Sequence, residues 1–197
     1  MATKPGERRL QILQTLAEML ETPKGEKITT AALAARLDCS EAALYRHFAS
    51  KAQMFEGLIE FIEQSLFGVI NQITGEEENG LKQTELILAM LLRFAQKNRG
   101  MTRVLIGDAL VNENERLQTR INALLDKLEA TLKQTLRVAA TQATVESTAD
   151  FSALANLLRC YVVGRWEQYA RSGFSREPLA QWQQQWPLLA TCIMATH

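Results

Sequence analysis

The segment Ile28–Lys51, ITTAALAARLDCSEAALYRHFASK, leaves the backbone few choices. Thr29 or Thr30 opens one run of apolar residues at helical spacing, and Ser40 opens a second. Each is a residue type that caps a helix N-terminus with its side-chain oxygen. Between the runs lie only Leu37, Asp38 and Cys39, enough for a tight turn and nothing longer. Two short helices joined in this way make a helix-turn-helix. The first would bury Leu33, Ala34 and Leu37. The second, Glu41 to Phe48, would bury Leu44 and Phe48, because residues i and i+4 share a helix face.

That assignment leaves Ala42, Ala43, Tyr45, Arg46 and His47 on the open side of the second helix, with Lys51 following. Small Ala42 and Ala43 allow the backbone to approach base edges and can touch a thymine methyl group. Arg46 can bond guanine or a phosphate. Tyr45, His47 and Lys51 suit phosphates, as do Ser40, Thr29 and Thr30 at the helix starts, where free N–H groups attract anions. The competing reading has Tyr45, Arg46 and His47 simply decorating an exposed face. The order of caps, turn and aromatic-basic cluster favours a helix set in the major groove of double-stranded DNA.

Charge balance makes this contact local. The chain has 22 lysines and arginines against 22 acidic residues, so no general basic excess attracts nucleic acid. Residues 1–51 alone carry eight basic against six acidic side chains, with His47 in addition.

The remaining residues also read as helices, and the strand-type alternation of apolar and polar positions is absent. A first helix over about Glu7–Glu21 has its stripe at Ile12, Leu13, Leu16 and Leu20 and ends in Thr22-Pro23-Lys24-Gly25. Ser50 caps a long helix with Met54, Phe55, Leu58, Ile59, Ile62, Leu66 and Ile70 on one face, fading near Thr74. Further helices fall at about Leu81–Lys97, Met101–Val111, Asn114–Val138, Ala149–Ser172 and Glu177–Ala195, with Ala139–Ser147 as a loop. The expected fold is all-α. A helix-turn-helix domain would occupy residues 1–51 and a helical dimerisation or regulatory domain residues 52–197. The last two helices carry apolar stripes that exceed one core's needs, with Leu154, Leu158, Tyr161, Trp182 and Trp186 as candidate dimer contacts. Pro187 should kink the last of them.

The order T-T-x-x-L-A, then S-x-x-x-L-Y-R-H-F-x-S-K, resembles the TetR family of bacterial regulators over about residues 7–55. The resemblance implies nine helices in two domains and a homodimer reading palindromic DNA. The family's usual turn glycine is Asp38 here, and aspartate tolerates the left-handed conformation better than most residues. Longer matches run through Met54–Leu66, Met101–Leu110 and Asn114–Asn122. They resemble a branch of the family that occupies chromosomal sites, antagonises the tubulin-like division protein FtsZ and thereby effects nucleoid occlusion. In that branch the FtsZ tail docks between the fourth and fifth helices, which implies a groove at Phe61, Val69, Met90, Arg93, Lys97 and Asn98. Val69, Arg93 and Arg99 depart from the branch pattern.

The alternative within the same family is a transcriptional repressor answering a small molecule. Met90, Phe94, Met101, Tyr161 and Trp166 are its pocket candidates, although Met and aromatic residues at helical spacing are more often plain core. Only His47 and His197 are histidines, and no phosphate loop, nucleophile elbow or metal-ligand spacing occurs, so neither an enzyme nor a cofactor is expected. Cys39, Cys160 and Cys192 read as small core residues of a reducing compartment. With no apolar leader or membrane span, the expected location is the cytoplasm, on the nucleoid.

Overall fold

The computed structural model describes residues 5–22, 28–143 and 150–194. Among them all regular structure is helical: α1 Pro5–Met19, α2 Thr30–Arg36, α3 Glu41–Tyr45, α4 Lys51–Glu76, α5 Gly80–Lys97, α6 Arg99–Leu105, α7 Glu115–Gln142, α8 Phe151–Arg171 and α9 Trp182–Met194. A single 3-10 turn, Asp108–Leu110, stands between α6 and α7. The all-α reading therefore holds.

Several boundaries move. α3 stops at Tyr45 rather than Phe48, because the amides of His47 and Phe48 both turn back onto the Leu44 carbonyl. α7 continues through Ala139–Gln142, four residues expected to be loop; its Gln142 side chain bonds Gly80 N and the Glu78 carbonyl, which holds that last turn. α9 begins only at Trp182 and continues through Pro187. The expected stop at Pro23-Lys24-Gly25 and the segment 144–147 lie outside the described residues.

The chain divides into two compact units. One comprises residues 1–63 and 98–121, the other residues 64–97 and 122–197. This division by compactness differs from the expected domain boundary at residue 51.

In the first unit α1 buries Ile12, Leu13, Leu16 and Leu20, and α4 buries Met54, Phe55, Leu58, Ile59 and Ile62, as their spacing requires. Each such side chain contributes about 1.5–3 kcal/mol relative to exposure. α6 crosses α1 so closely that a Cβ on Gly100 would lie 1.9 Å from the Ala17 carbonyl oxygen, so this position needs glycine. Arg103 then ties the end of α1. Its Nη1 donates to the carbonyls of Leu20 at 3.1 Å and Thr22 at 3.0 Å, and its Nε pairs with Asp108 at 2.5 Å. Helix C-termini leave carbonyls without partners, and a guanidinium supplies the missing donors.

The second unit is anchored by large side chains with satisfied polar ends. Trp166 is fully buried and its indole N–H donates to the Leu91 carbonyl at 3.1 Å. Buried Tyr169 donates to the Gln96 carbonyl at 3.2 Å. Together they fasten α8 to α5 while leaving neither polar group stranded. Buried Thr84 and Thr135 share a hydroxyl contact of 2.8 Å between α5 and α7.

Candidate nucleic-acid interface

The helix-turn-helix is built from local signals. Thr29 caps α2, its hydroxyl accepting from Ala32 N at 3.1 Å, and Ser40 caps α3, accepting from Ala43 N at 3.3 Å. The turn closes with Asp38 at φ 50°, in the left-handed region. Asp38 N donates to Ala35 O at 3.2 Å and Cys39 N to Ala34 O at 3.0 Å, the paired bonds that end a helix around a left-handed residue. Aspartate thus fills the usual glycine role.

Leu33, Ala34, Leu37, Leu44 and Phe48 are buried, so the inner face is as the spacing requires. Two α1 arginines secure the element from behind. Arg8 donates to the Leu37 carbonyl at 3.3 Å; Arg9 donates to the His47 carbonyl at 3.3 Å and sits 4.3 Å over the Phe48 ring. In the sequence these two counted only as charge.

Ala42, Tyr45 and Arg46 are exposed, Tyr45 to 45%, while Ala43 and His47 are half-buried. Arg46 makes no ion pair among the described residues, which leaves its guanidinium available. Thr30 is less available than expected: its hydroxyl donates to the Glu41 carboxylate at 2.5 Å and receives the Tyr45 hydroxyl at 3.5 Å. Lys51 is paired with Glu113, beyond the 3-10 turn. A phosphate would have to draw its ammonium away from that carboxylate. Neither Glu41 nor Glu113 was among the expected site residues. Hydrogen bonding across 62 positions, as between Lys51 and Glu113, leaves no local pattern to find.

The other expected sites separate between the two units. Phe61 and Asn98 lie in the first unit, where they line a surface depression with Gln14, Ala17, Glu18, Glu21, Gly100 and Met101. Val69, Met90, Arg93 and Lys97 belong to the second unit; Val69, Arg93 and Lys97 are exposed and Met90 is half-buried. Of the pocket candidates, Met101 and Trp166 are buried core, and Phe94 and Tyr161 are half-buried. Tyr161 donates to Gln185 at 2.7 Å, and burial raises its phenol above the ordinary value while the Arg165 charge opposes that rise.

The dimer candidates need correction. Leu158 and Trp182 are buried within their own chain, where Trp182 stacks on Trp186 at 5.5 Å, so neither offers a free surface. Leu154, Tyr161 and Trp186 are half-buried. The large exposed apolar residues described on these helices are Leu157, Leu188 and Met194. Cys160 and Cys192 are exposed as well, contrary to their reading as core, and Cys39 is half-buried. Among the described residues no helix is long and apolar enough to cross a membrane, and no group of three metal-binding side chains occurs.

Comparison with known proteins agrees with this architecture. Residues 24–58 match the family model described as bacterial regulatory proteins, tetR family, and residues 78–194 match a tetracyclin repressor-like C-terminal domain of SlmA-like type. The chain is 52% identical over 185 residues to the nucleoid occlusion factor SlmA of Alteromonas mediterranea, covering 94% of this chain and 95% of that one. It is 48% identical over 194 residues to the protein of the same name from a Marinomonas species, covering 98% of each. Among solved structures, a TetR transcription regulator from Haloarcula marismortui superposes with a TM-score of 0.80 at 15% identity, covering 95% of this chain and 98% of the other. The regulator FadR from Bacillus subtilis, solved with stearoyl-CoA, gives 0.74 at 13% identity, covering 92% and 97%. Those two establish likeness of fold alone. The chain belongs to the TetR family of DNA-binding regulators and, within it, to the SlmA nucleoid occlusion factors.

Proposed function

We propose that this protein works as a homodimer that occupies palindromic sites on the chromosome and, when bound there, restrains FtsZ assembly over the nucleoid. Similarity of about half the residues along nearly the full length of the SlmA relatives carries this reading. The exposed Tyr45 and Arg46 on a capped, buttressed α3 support the DNA contact, with Ala42 and Ala43 permitting close approach. Thr29, Ser40 and His47 flank them toward the phosphates, and Lys51 exchanges Glu113 for a phosphate on binding. The second copy packs on the exposed strip of α8 and α9. Leu157 and Leu188 offer apolar surface there, and a Cβ on Gly164 would meet nothing within 4 Å apart from its own stretch of helix, which permits a partner helix to come close.

FtsZ would dock on the second unit through Val69, Met90, Arg93 and Lys97, of which Val69, Arg93 and Lys97 are exposed. The protein would act in the cytoplasm, on the nucleoid, and carry out no catalysis. Sedimentation of FtsZ polymers tests this. Protein with chromosomal DNA carrying its site should reduce the pelleted polymer, and protein without DNA should do so less. Unchanged polymer at saturating DNA overturns the proposal.

A further inference from the structure

We infer that Glu41 is a specificity-determining residue of the DNA site, selecting a cytosine in each half-site and opposing non-specific binding. The inference rests on the DNA-binding reading of α3. Glu41 is the first residue of α3, exposed beside Ala42 on the same open side as Tyr45 and Arg46. Its carboxylate is held in place: Thr30, the first residue of α2, donates its hydroxyl to Oε2 at 2.5 Å, and that hydroxyl in turn receives Tyr45 at 3.5 Å. The side chain is therefore positioned before any ligand arrives, by residues of both helices of the motif.

A fixed negative charge at this place works against the phosphate backbone, where affinity comes from cations. It weakens every non-specific encounter by the same repulsion. The repulsion is offset only where a donor on a base edge meets the carboxylate. In the major groove cytosine presents its N4 amino group, whereas guanine presents two acceptors and thymine an acceptor and a methyl group. Adenine has an N6 donor, but its N7 acceptor lies beside it and repels a second carboxylate oxygen. Cytosine is the base that satisfies Glu41 without conflict. A purely structural role, accepting from Thr30 and favouring the helix dipole, would affect stability and leave base preference unaltered.

Selection from a random-sequence duplex library, run in parallel with the full wild-type chain, E41Q and E41A, separates these roles. Wild type should enrich a site with one cytosine fixed in each half. E41A should lose that preference by about tenfold at that position and keep the remainder of the consensus. E41Q should turn the preference toward adenine, which glutamine can pair through both its donor and its acceptor. E41Q should also bind a scrambled duplex several-fold more tightly in fluorescence anisotropy, because a repulsive charge is gone. Identical base preferences in all three proteins, with wild-type-like circular dichroism, overturn the inference while leaving the DNA-binding reading intact. Failure of the wild-type chain to enrich any sequence overturns both.

Discussion

α3 and α8 represent two ways of using a helix in one chain. α3 has five residues and buries one, Leu44; it is held by caps, by the Asp38 turn and by Arg8 and Arg9 of α1. α8 has 21 residues and buries Ala155, Leu158, Val162, Trp166 and Tyr169. Five residues cannot sustain a helix in water by themselves, since nucleation is costly and few hydrogen bonds repay it. α3 is therefore a presented element, whose open face is free for a ligand because it contributes so little to the core. α8 stabilises its unit, and its exposed residues include Leu157 and Gly164, the proposed contact with a second chain. The lesson is that exposure of Tyr45 and burial of Trp166 carry opposite expectations for function and stability.

Replacing one anchor should break the comparison most severely. Trp166→Ala removes a fully buried ring and its bond to Leu91, and should cost about 3–5 kcal/mol in urea unfolding. A loss below about 1 kcal/mol would show that α8 is not the anchor described. Next, Leu157→Glu combined with Leu188→Glu should convert the dimer to a monomer in sedimentation velocity, since both side chains are exposed in the protomer. Persistence of the dimer would move the interface off this strip.

Tyr45→Ala and Arg46→Ala should each weaken binding to a selected duplex about tenfold while leaving stability within about 0.5 kcal/mol. Unaltered affinity at moderate salt would remove these residues from the interface. The smallest effect belongs to the turn. Asp38→Gly should raise stability by less than about 1 kcal/mol, because φ 50° strains any residue with a Cβ. A decrease in Tm would mean that the aspartate side chain contributes more than its backbone conformation.

The helix-turn-helix was legible because its determinants are close in sequence. Caps, turn and the Leu44–Phe48 spacing act over five residues or fewer, and each occurs where expected. The long stripes of α1 and α4 were legible for the same reason. The ends of helices were less so: Gln142 extends α7 by reaching Gly80, a contact between residues 62 apart. The dimer face was misjudged at Leu158 and Trp182 because periodicity identifies an apolar side without saying which neighbour covers it.

The sequence by itself therefore determined the helical class and the motif, since short-range hydrogen bonding and helical period dictate those, and it named the side chains expected to meet DNA. Tertiary structure decided which of them are free to do so. It drew Thr30 onto Glu41 and Lys51 onto Glu113, left Arg46 without an ion pair among the described residues, and turned Trp182 inward. The physical reason is that availability depends on where distant carboxylates and apolar surfaces come to lie, and folding brings them together across tens of residues.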